Sequence, residues 1–210
     1  MADIKIPPFD GKEFSAYAAF PETGQGPGVV VIADGGLPQD RKKEICDVFA
    51  ARGYLAVCPE IFGGAGFDKE ALVRDLLSAL GFVRRMETCT GKVGSVGIGV
   101  GGHMAYLLAA RSDVDATVVY SPEGLEESLT ETYDIITPLL LHVGAKEPLM
   151  AGMTGARVMR SVARNDKIVL HVYEEAGPLL AIHGGENESP KATECAADRT
   201  FAFLDDRLKV

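Results

Sequence analysis

The sequence predicts an α/β protein, in which a mostly parallel sheet of about eight strands carries helices on both faces. Several predicted strands are continuous apolar runs, such as residues 29–33 and 54–58, which are typical of strands covered on both faces. From residue 29 onward, strands alternate with helices through short links, and this order requires a parallel sheet. The length of 210 residues, 47% of them hydrophobic, suits one domain over residues 1–210 with a substantial core.

The individual elements follow from local patterns along the chain. Residues 4–6 and 13–20 are predicted to pair as strands at an edge of the sheet, because Asp10 and Gly11 give a hairpin turn signal between them. Apolar residues recur at helical spacing in residues 68–86, and Asp68 is a suitable N-cap for that helix. The other strands are predicted at residues 29–33, 54–58, 93–98, 116–120, 139–143 and 168–173, and the other helices at 39–52, 104–110, 148–164 and 190–208.

Charge and composition exclude several classes of partner. The net charge of -9 disfavours binding to a nucleic-acid backbone. No apolar run is long enough to cross a bilayer, and the N-terminal residues lack the pattern of a signal peptide. Four widely spaced cysteines without a CxxC pattern indicate reduced thiols, not disulfides or a zinc site. We therefore predict a cytoplasmic protein without metal or cofactor, whose partner is a small molecule, and the sequence leaves its oligomeric state open.

Residues 92–111 carry the strongest functional signal. They read KVGSVGIGVGGHMAYLLAAR, which predicts a buried strand, a glycine cluster and an apolar helix. The nucleophile elbow of hydrolases, G-x-nucleophile-x-G, has this layout, and it would place Gly99 at the nucleophile position. The phosphate-binding pattern G-x-G-x-x-G also fits, through Gly97, Gly99 and Gly102. That second pattern is weak here, because it follows the fifth predicted strand and not the first.

The chain resembles the dienelactone hydrolase family of α/β-hydrolases from residue 29 to the C-terminus. The matching stretches are GYLAVCPEIF (53–62), KVGSVGIGVGG (92–102), YSPEGLEESL (120–129), PLLLHVGAKEP (138–148), HVYEEAG (171–177) and RTFAFLDDRL (199–208). The resemblance implies an α/β-hydrolase fold and a function related to the hydrolysis of small esters or lactones.

The catalytic triad that the resemblance implies is not intact in this chain. The family has a cysteine nucleophile in G-x-C-x-G-G, where this chain has Gly99, and a histidine in EEAGH, where it has Pro178. The acid position is Glu147, which can replace the family's aspartate. The loop that carries a substrate-binding arginine in the family reads IFGGAGF here and contains none. Because glycine relieves the strain of an elbow, we expect Gly99 to have a backbone conformation that other residues disfavour.

A few residues are candidates to replace the lost groups. His183, five residues after Pro178, is the best substitute base, although a solvated loop histidine is the simpler interpretation. Ser121 ends a predicted strand but has no elbow of its own. The remaining histidines are expected to pack within the fold: His103, His142 and His171.

The backbone around the elbow predicts a small pocket. The N–H groups of Gly35 and Val100 would form an oxyanion hole beside the helix that starts near Gly101. Asp34 and Glu147 follow neighbouring strands and would lie close to it. A small ligand in this pocket is the predicted partner.

Three functions are compatible with these observations. The first is a dienelactone hydrolase-like protein that has lost covalent hydrolysis and binds a small carboxylate or carbonyl compound, which makes it a pseudoenzyme. The second is an active hydrolase of esters or lactones, in which water is activated by Glu147, Asp34 or His183. The third is a nucleotide-binding protein that uses the three motif glycines, with Glu123 about twenty residues further on.

Overall fold

The computed structural model describes residues 2–8, 13–33, 35–62, 68–177 and 189–209. Its strands are β1 (Ala2–Ile6), β2 (Phe14–Ala19), β3 (Gly26–Ile32), β4 (Leu55–Pro59), β5 (Cys89–Ile98), β6 (Ala116–Tyr120), β7 (Leu139–Gly144) and β8 (Ile168–Tyr173). These strands form one eight-stranded sheet in the order β1-β2-β4-β3-β5-β6-β7-β8.

The sheet is antiparallel at one edge and parallel elsewhere. β1 pairs with β2, and β2 with β4, in antiparallel register. All the other neighbouring strands pair in parallel. The predicted fold class and the antiparallel edge pair are therefore confirmed, whereas the turn predicted at Asp10 and Gly11 lies outside the described residues. β3, β4, β6 and β7 are buried along their whole length, as expected of mainly apolar strands covered on both faces.

Helices cover both faces of the sheet. They are α1 (Gln39–Ala51), α2 (Lys69–Arg84), α3 (Val100–Arg111), α4 (Gly152–Val162) and α5 (Pro190–Leu208). On one face, α2, α3 and α4 contribute Leu76, Met104 and Val158 to a shared apolar core. On the other face, α1 and α5 contribute Phe49 and Phe201. Within the described ranges, no helix combines the length and the apolar character needed to cross a bilayer.

Two helix boundaries differ from the prediction, and one cap is confirmed. The Asp68 side chain accepts a hydrogen bond from the Glu70 N–H at 3.0 Å, as expected of an N-cap. α3 starts at Val100, ahead of residue 104, where its apolar pattern begins, and close to Gly101, where the elbow motif predicts the helix to start. The helix predicted over 148–164 is a short 3₁₀ turn (Pro148–Met150) followed by α4, and Gly152, the first residue of α4, has a φ of 50°.

Close backbone packing explains why the first turn of α3 is rich in glycine. A Cβ atom added to Gly101 would lie 2.0 Å from the carbonyl oxygen of Ile32, at the end of β3. One added to Gly97 would lie 2.3 Å from the Gly101 carbonyl oxygen, and one added to Gly102 would lie 2.8 Å from that of Tyr120. These glycines therefore let the start of α3 pack directly on strand backbones, and this packing fixes the helix N-terminus at the carboxyl end of β5.

We expect Gly101→Ala to destabilise the protein by at least about 3 kcal/mol, because the new methyl group meets rigid backbone. Gly81→Ala in α2 is the matched control, since its methyl group would approach only the mobile end of the Arg85 side chain, at 3.3 Å. That change should stabilise the protein by about 0.5–1 kcal/mol through helix propensity. Urea unfolding of both variants measures the difference, and equal stabilities would contradict this account of α3.

Candidate functional site

Gly99 forms the turn between β5 and α3, and its backbone has φ 62° and ψ -127°. Residues with a side chain rarely adopt a positive φ, and holding one there costs about 1–3 kcal/mol. The expectation that Gly99 has a disfavoured conformation is therefore confirmed. The backbone at this position has kept the sharp strand-to-helix turn of a nucleophile elbow, although the residue has no side chain to react.

The peptide that joins Gly99 to Val100 presents a free donor. The Gly99 carbonyl oxygen accepts hydrogen bonds from the N–H groups of Gly102 at 2.9 Å and Glu123 at 3.2 Å. In a planar trans peptide the C=O and N–H bonds point in opposite directions, so the Val100 N–H points outward from the start of α3. No described residue accepts a hydrogen bond from it. Together with the positive end of the helix dipole, this N–H is suited to a carbonyl oxygen or an oxyanion.

Ser121 and Glu147 form a buried polar pair next to the elbow. Ser121 ends β6 and donates its hydroxyl to Oε1 of Glu147 at 2.7 Å, and the Gly144 N–H donates to the same oxygen at 2.6 Å. Glu147 is only 5% exposed. Burial raises the pKa of the Glu147 carboxyl, while the hydrogen bonds from Gly144 and Ser121 act in the opposite direction.

Ser121 also has an unusual backbone. Its φ is 45°, and it is the one non-glycine residue with a positive φ in the described part of the chain. Strain of this kind persists only where the surrounding structure fixes it, and it is concentrated at functional sites. The sequence suggested Ser121 only as a residue at a strand end, since neither its backbone strain nor its bond to Glu147 has a local sequence signal.

A cleft of about 560 Å³ opens over these groups. It lies at the carboxyl ends of β5, β6 and β7, where ligands bind in α/β sheets. The described residues that line it are Gly99, Ser121, Pro122, Glu123, Gly124, Glu126, Glu147, Pro148, Leu149 and Thr154.

The structure brings together only some of the residues predicted for the pocket. Gly99 and Glu147 both line the cleft, whereas Gly35, Val100 and Gly101 are not among its described lining residues. Gly101 is a packing residue, and Gly35 is an exposed turn residue beside Phe62. The remaining predicted positions lie outside the described residues: Asp34, Pro178 and His183.

Three of the histidines lie within the fold, away from the cleft lining. His103 is buried on α3, and its Nε2 lies 2.7 Å from the Ser128 hydroxyl oxygen. His142 on β7 is fully buried, and His171 on β8 stacks against it with 5.9 Å between ring centroids. Their packing roles are as predicted. Among the side chains that the structure describes, no three His, Cys, Asp or Glu residues converge to hold a metal ion.

The phosphate-binding interpretation has a simpler structural explanation. Of its three motif glycines, Gly97 and Gly102 allow close packing of α3, and Gly99 supplies the positive φ of the turn. Glu123 donates its backbone N–H to the Gly99 carbonyl and has an exposed side chain at the cleft. The glycine pattern is therefore accounted for without a phosphate group.

The sheet order, the antiparallel edge and the strand–turn–helix at Gly99 define an α/β-hydrolase fold. A solved dienelactone hydrolase-like promiscuous phosphotriesterase from metagenomic libraries matches this fold with a TM-score of 0.81 at 20% sequence identity, over 99% of this chain and 98% of its own. Est1E from Butyrivibrio proteoclasticus matches with a TM-score of 0.77 at 11% identity, over 99% of each chain.

The chain belongs to the dienelactone hydrolase family, whose sequence model matches residues 14–208. A relative from Azospirillum brasilense, provisionally named a carboxymethylenebutenolidase, is 33% identical over 99% of this chain and 100% of its own length. The carboxymethylenebutenolidase of Pseudomonas putida is 28% identical over 96% of this chain and 94% of its own.

Proposed function

We propose that this protein binds a small ester or lactone in the cleft and does not use the covalent chemistry of its family. The observation that supports this most directly is Gly99, which has the elbow backbone but no nucleophile. Acyl-enzyme chemistry requires a hydroxyl, thiol or amine beside a base, and residue 99 supplies none of these. The curated relatives are named as carboxymethylenebutenolidases, so a lactone or ester is the ligand class that we carry over.

In this proposal, the ligand's carbonyl oxygen accepts a hydrogen bond from the Val100 N–H. This donor has no acceptor among the described residues, it follows the cleft residue Gly99, and the start of α3 favours partial negative charge there. A free carboxylate fits the cleft less well than an uncharged carbonyl, because the described lining contains three glutamates and no lysine or arginine. Of the two ligand classes that the sequence suggested, a carboxylate or a carbonyl compound, we therefore propose the carbonyl compound.

Replacing Val100 with proline tests this proposal. Proline suits the first position of a helix and has no N–H, so this change removes the donor while the helix can still form. We expect binding of γ-butyrolactone, followed by amide chemical shifts of Gly99 and Ser121, to weaken about three- to tenfold, the value of one hydrogen bond. Gln39→Pro makes the same change at the first residue of α1 and should leave the affinity unchanged. Wild-type protein that does not bind the lactone would refute the proposal.

A second candidate, hydrolysis initiated by Ser121, is favoured by the Ser121–Glu147 hydrogen bond and by the strained backbone of Ser121. Here the Glu147 carboxylate would take the hydroxyl proton while the serine oxygen attacks the ester carbonyl; the ester C–O bond then breaks, the alcohol leaves with that proton, and water releases the acid from the acyl-serine. The pair has no histidine among its described partners, so we rank this function second. Turnover of p-nitrophenyl acetate that disappears in Ser121→Ala would favour this candidate over simple binding.

A further inference from the structure

The cleft has an acidic lining whose charge is not neutralised. Glu123 and Glu126 follow β6 and Glu147 follows β7, and neither Glu123 nor Glu126 has an ion-pair partner in the described part of the chain. The nearest lysines are already engaged, since Lys69 pairs with Glu127 and Lys146 with Glu175. A concave site lined by one sign of charge concentrates ligands of the opposite sign.

One carboxylate oxygen of Glu147 has no hydrogen-bond partner among the described residues. Oε1 of Glu147 accepts two hydrogen bonds, from Gly144 and Ser121, whereas Oε2 accepts none from a described residue. The side chain lines the cleft and is only 5% exposed, so water screens it poorly. A carboxylate oxygen in such a position is best satisfied by a charged N–H donor.

None of the described residues that line the cleft is a lysine or an arginine. The segments outside the described residues that follow β3, β4 and β8 are residues 34, 63–67 and 178–188, and they contain no lysine or arginine. They do contain the acidic residues Asp34, Glu186 and Glu188. A ligand with a positive charge would therefore supply what the described lining of the cleft does not.

We propose that the cleft recognises esters or lactones that carry an ammonium group. The ammonium donates to Oε2 of Glu147, and the carbonyl oxygen accepts from the Val100 N–H, so each end of the ligand meets the group that complements it. This inference rests on the proposed function and names the class of its ligand.

Three esters that differ in a single end group test the inference on the full-length protein. β-Alanine ethyl ester carries an ammonium group, ethyl butyrate a methyl group of similar size, and monoethyl succinate a carboxylate. NMR titration at pH 7.5 measures the three dissociation constants from the amide shifts of Gly99, Val100 and Gly144. We expect the ammonium ester to bind at least about tenfold more tightly than ethyl butyrate, because charge-assisted hydrogen bonds are strong, and the carboxylate ester to bind most weakly.

Glu147→Gln keeps an oxygen for Gly144 and Ser121 and removes the charge. It should reduce the preference for the ammonium ester over ethyl butyrate to less than about twofold. Glu87→Gln is the matched control, because it makes the same charge change at an exposed position before β5, at the opposite end of that strand, and should keep the preference.

The outcomes separate the two proposals. Equal binding of the ammonium and methyl esters by wild-type protein, or a preference that survives Glu147→Gln, overturns the cation inference and leaves the binding function intact. If none of the three esters shifts the Gly99 and Val100 amides, the proposed function itself fails, and the inference fails with it. The affinity for the ammonium ester, but not for ethyl butyrate, should also fall as acid protonates Glu147.

Discussion

Replacing Gly99 with cysteine and Pro178 with histidine in the same chain is expected to produce hydrolysis of p-nitrophenyl acetate at least about 10³-fold faster than wild type. The elbow backbone is already present at residue 99, with φ 62° and ψ -127°. The fold would therefore position a thiol there at the carboxyl end of β5. The cost is the strain of a positive φ on a residue with a side chain, about 1–3 kcal/mol.

The expected gain depends on having both changes together, because nucleophile and base act as a unit. Gly99→Cys alone should be acylated once and then stall, since no base at residue 178 activates water to release the acyl group. Pro178→His alone should remain within about tenfold of wild type, because it has no nucleophile to activate. Adding Glu147→Ala to the double variant should lower its kcat/KM by about 10²-fold or more, if Glu147 orients the new histidine.

Steady-state and burst kinetics test these expectations on the two single variants, the double variant and the double variant with Glu147→Ala. A double variant that is folded by circular dichroism but hydrolyses the ester no faster than Pro178→His would contradict the prediction. It would show that the turn at residue 99 does not position a thiol for attack on the ester. A single acylation burst with Gly99→Cys, followed by slow release, would show that the elbow still presents a reactive atom to the ester.

The fold could be predicted from the sequence because its signals are local and repeated. Mainly apolar runs predicted β3, β4, β6 and β7, and the glycine cluster predicted a sharp turn before α3. The apolar pattern alone placed the start of α3 at residue 104, because its glycines are poor helix formers in isolation, whereas the elbow motif placed it near Gly101. Packing of Gly101 against the Ile32 carbonyl outweighs that propensity, and such a contact between distant segments leaves no local trace.

The candidate site was predictable only where a motif identified it. Gly99 and Glu147 occupy motif positions, and the structure places both at one cleft. The bond between Ser121 and Glu147 joins two loops 26 residues apart, and it depends on how β6 and β7 align in the sheet. The acidic lining from Glu123 and Glu126 depends on the same alignment, so the charge of the cleft became visible only in three dimensions.

A buried network around His142 determines how the protein should respond to acid. Tyr173 Oη lies 2.9 Å from Nδ1 of His142, and Thr200 Oγ1 lies 3.1 Å from Nε2. Arg199 donates to the same Tyr173 oxygen at 3.1 Å, which leaves the tyrosine proton free to point at Nδ1. Every group is then satisfied by a neutral imidazole that carries its proton on Nε2 and donates it to Thr200.

Protonation of His142 is strongly disfavoured in the folded state. Burial, followed by the nearby His171 and Arg199 charges, lowers the pKa of His142 to about 3. In the unfolded chain the pKa is about 6.5, so the unfolded state takes up the proton first as the pH falls. Burial of neutral His142 therefore costs no stability above about pH 6.5. Below that pH the free energy of unfolding falls by about 1.4 kcal/mol per pH unit, until the pH nears 3.

His142→Gln should flatten this acid dependence. Glutamine is neutral at every pH and still offers an amide N–H to Thr200, but it loses the acceptor for Tyr173, so we expect about 1–3 kcal/mol lower stability at pH 7. Between pH 7 and pH 4.5 the wild type should lose about 2–3 kcal/mol more than the variant, so the two stabilities converge in acid. Urea unfolding at both pH values measures this convergence.

His171→Gln is the control on the neighbouring strand, and its effect should be smaller because His171 is only partly buried. Parallel pH profiles for wild type and His142→Gln would mean that His142 accepts its proton in the folded protein, and that the network rearranges instead of excluding the charge.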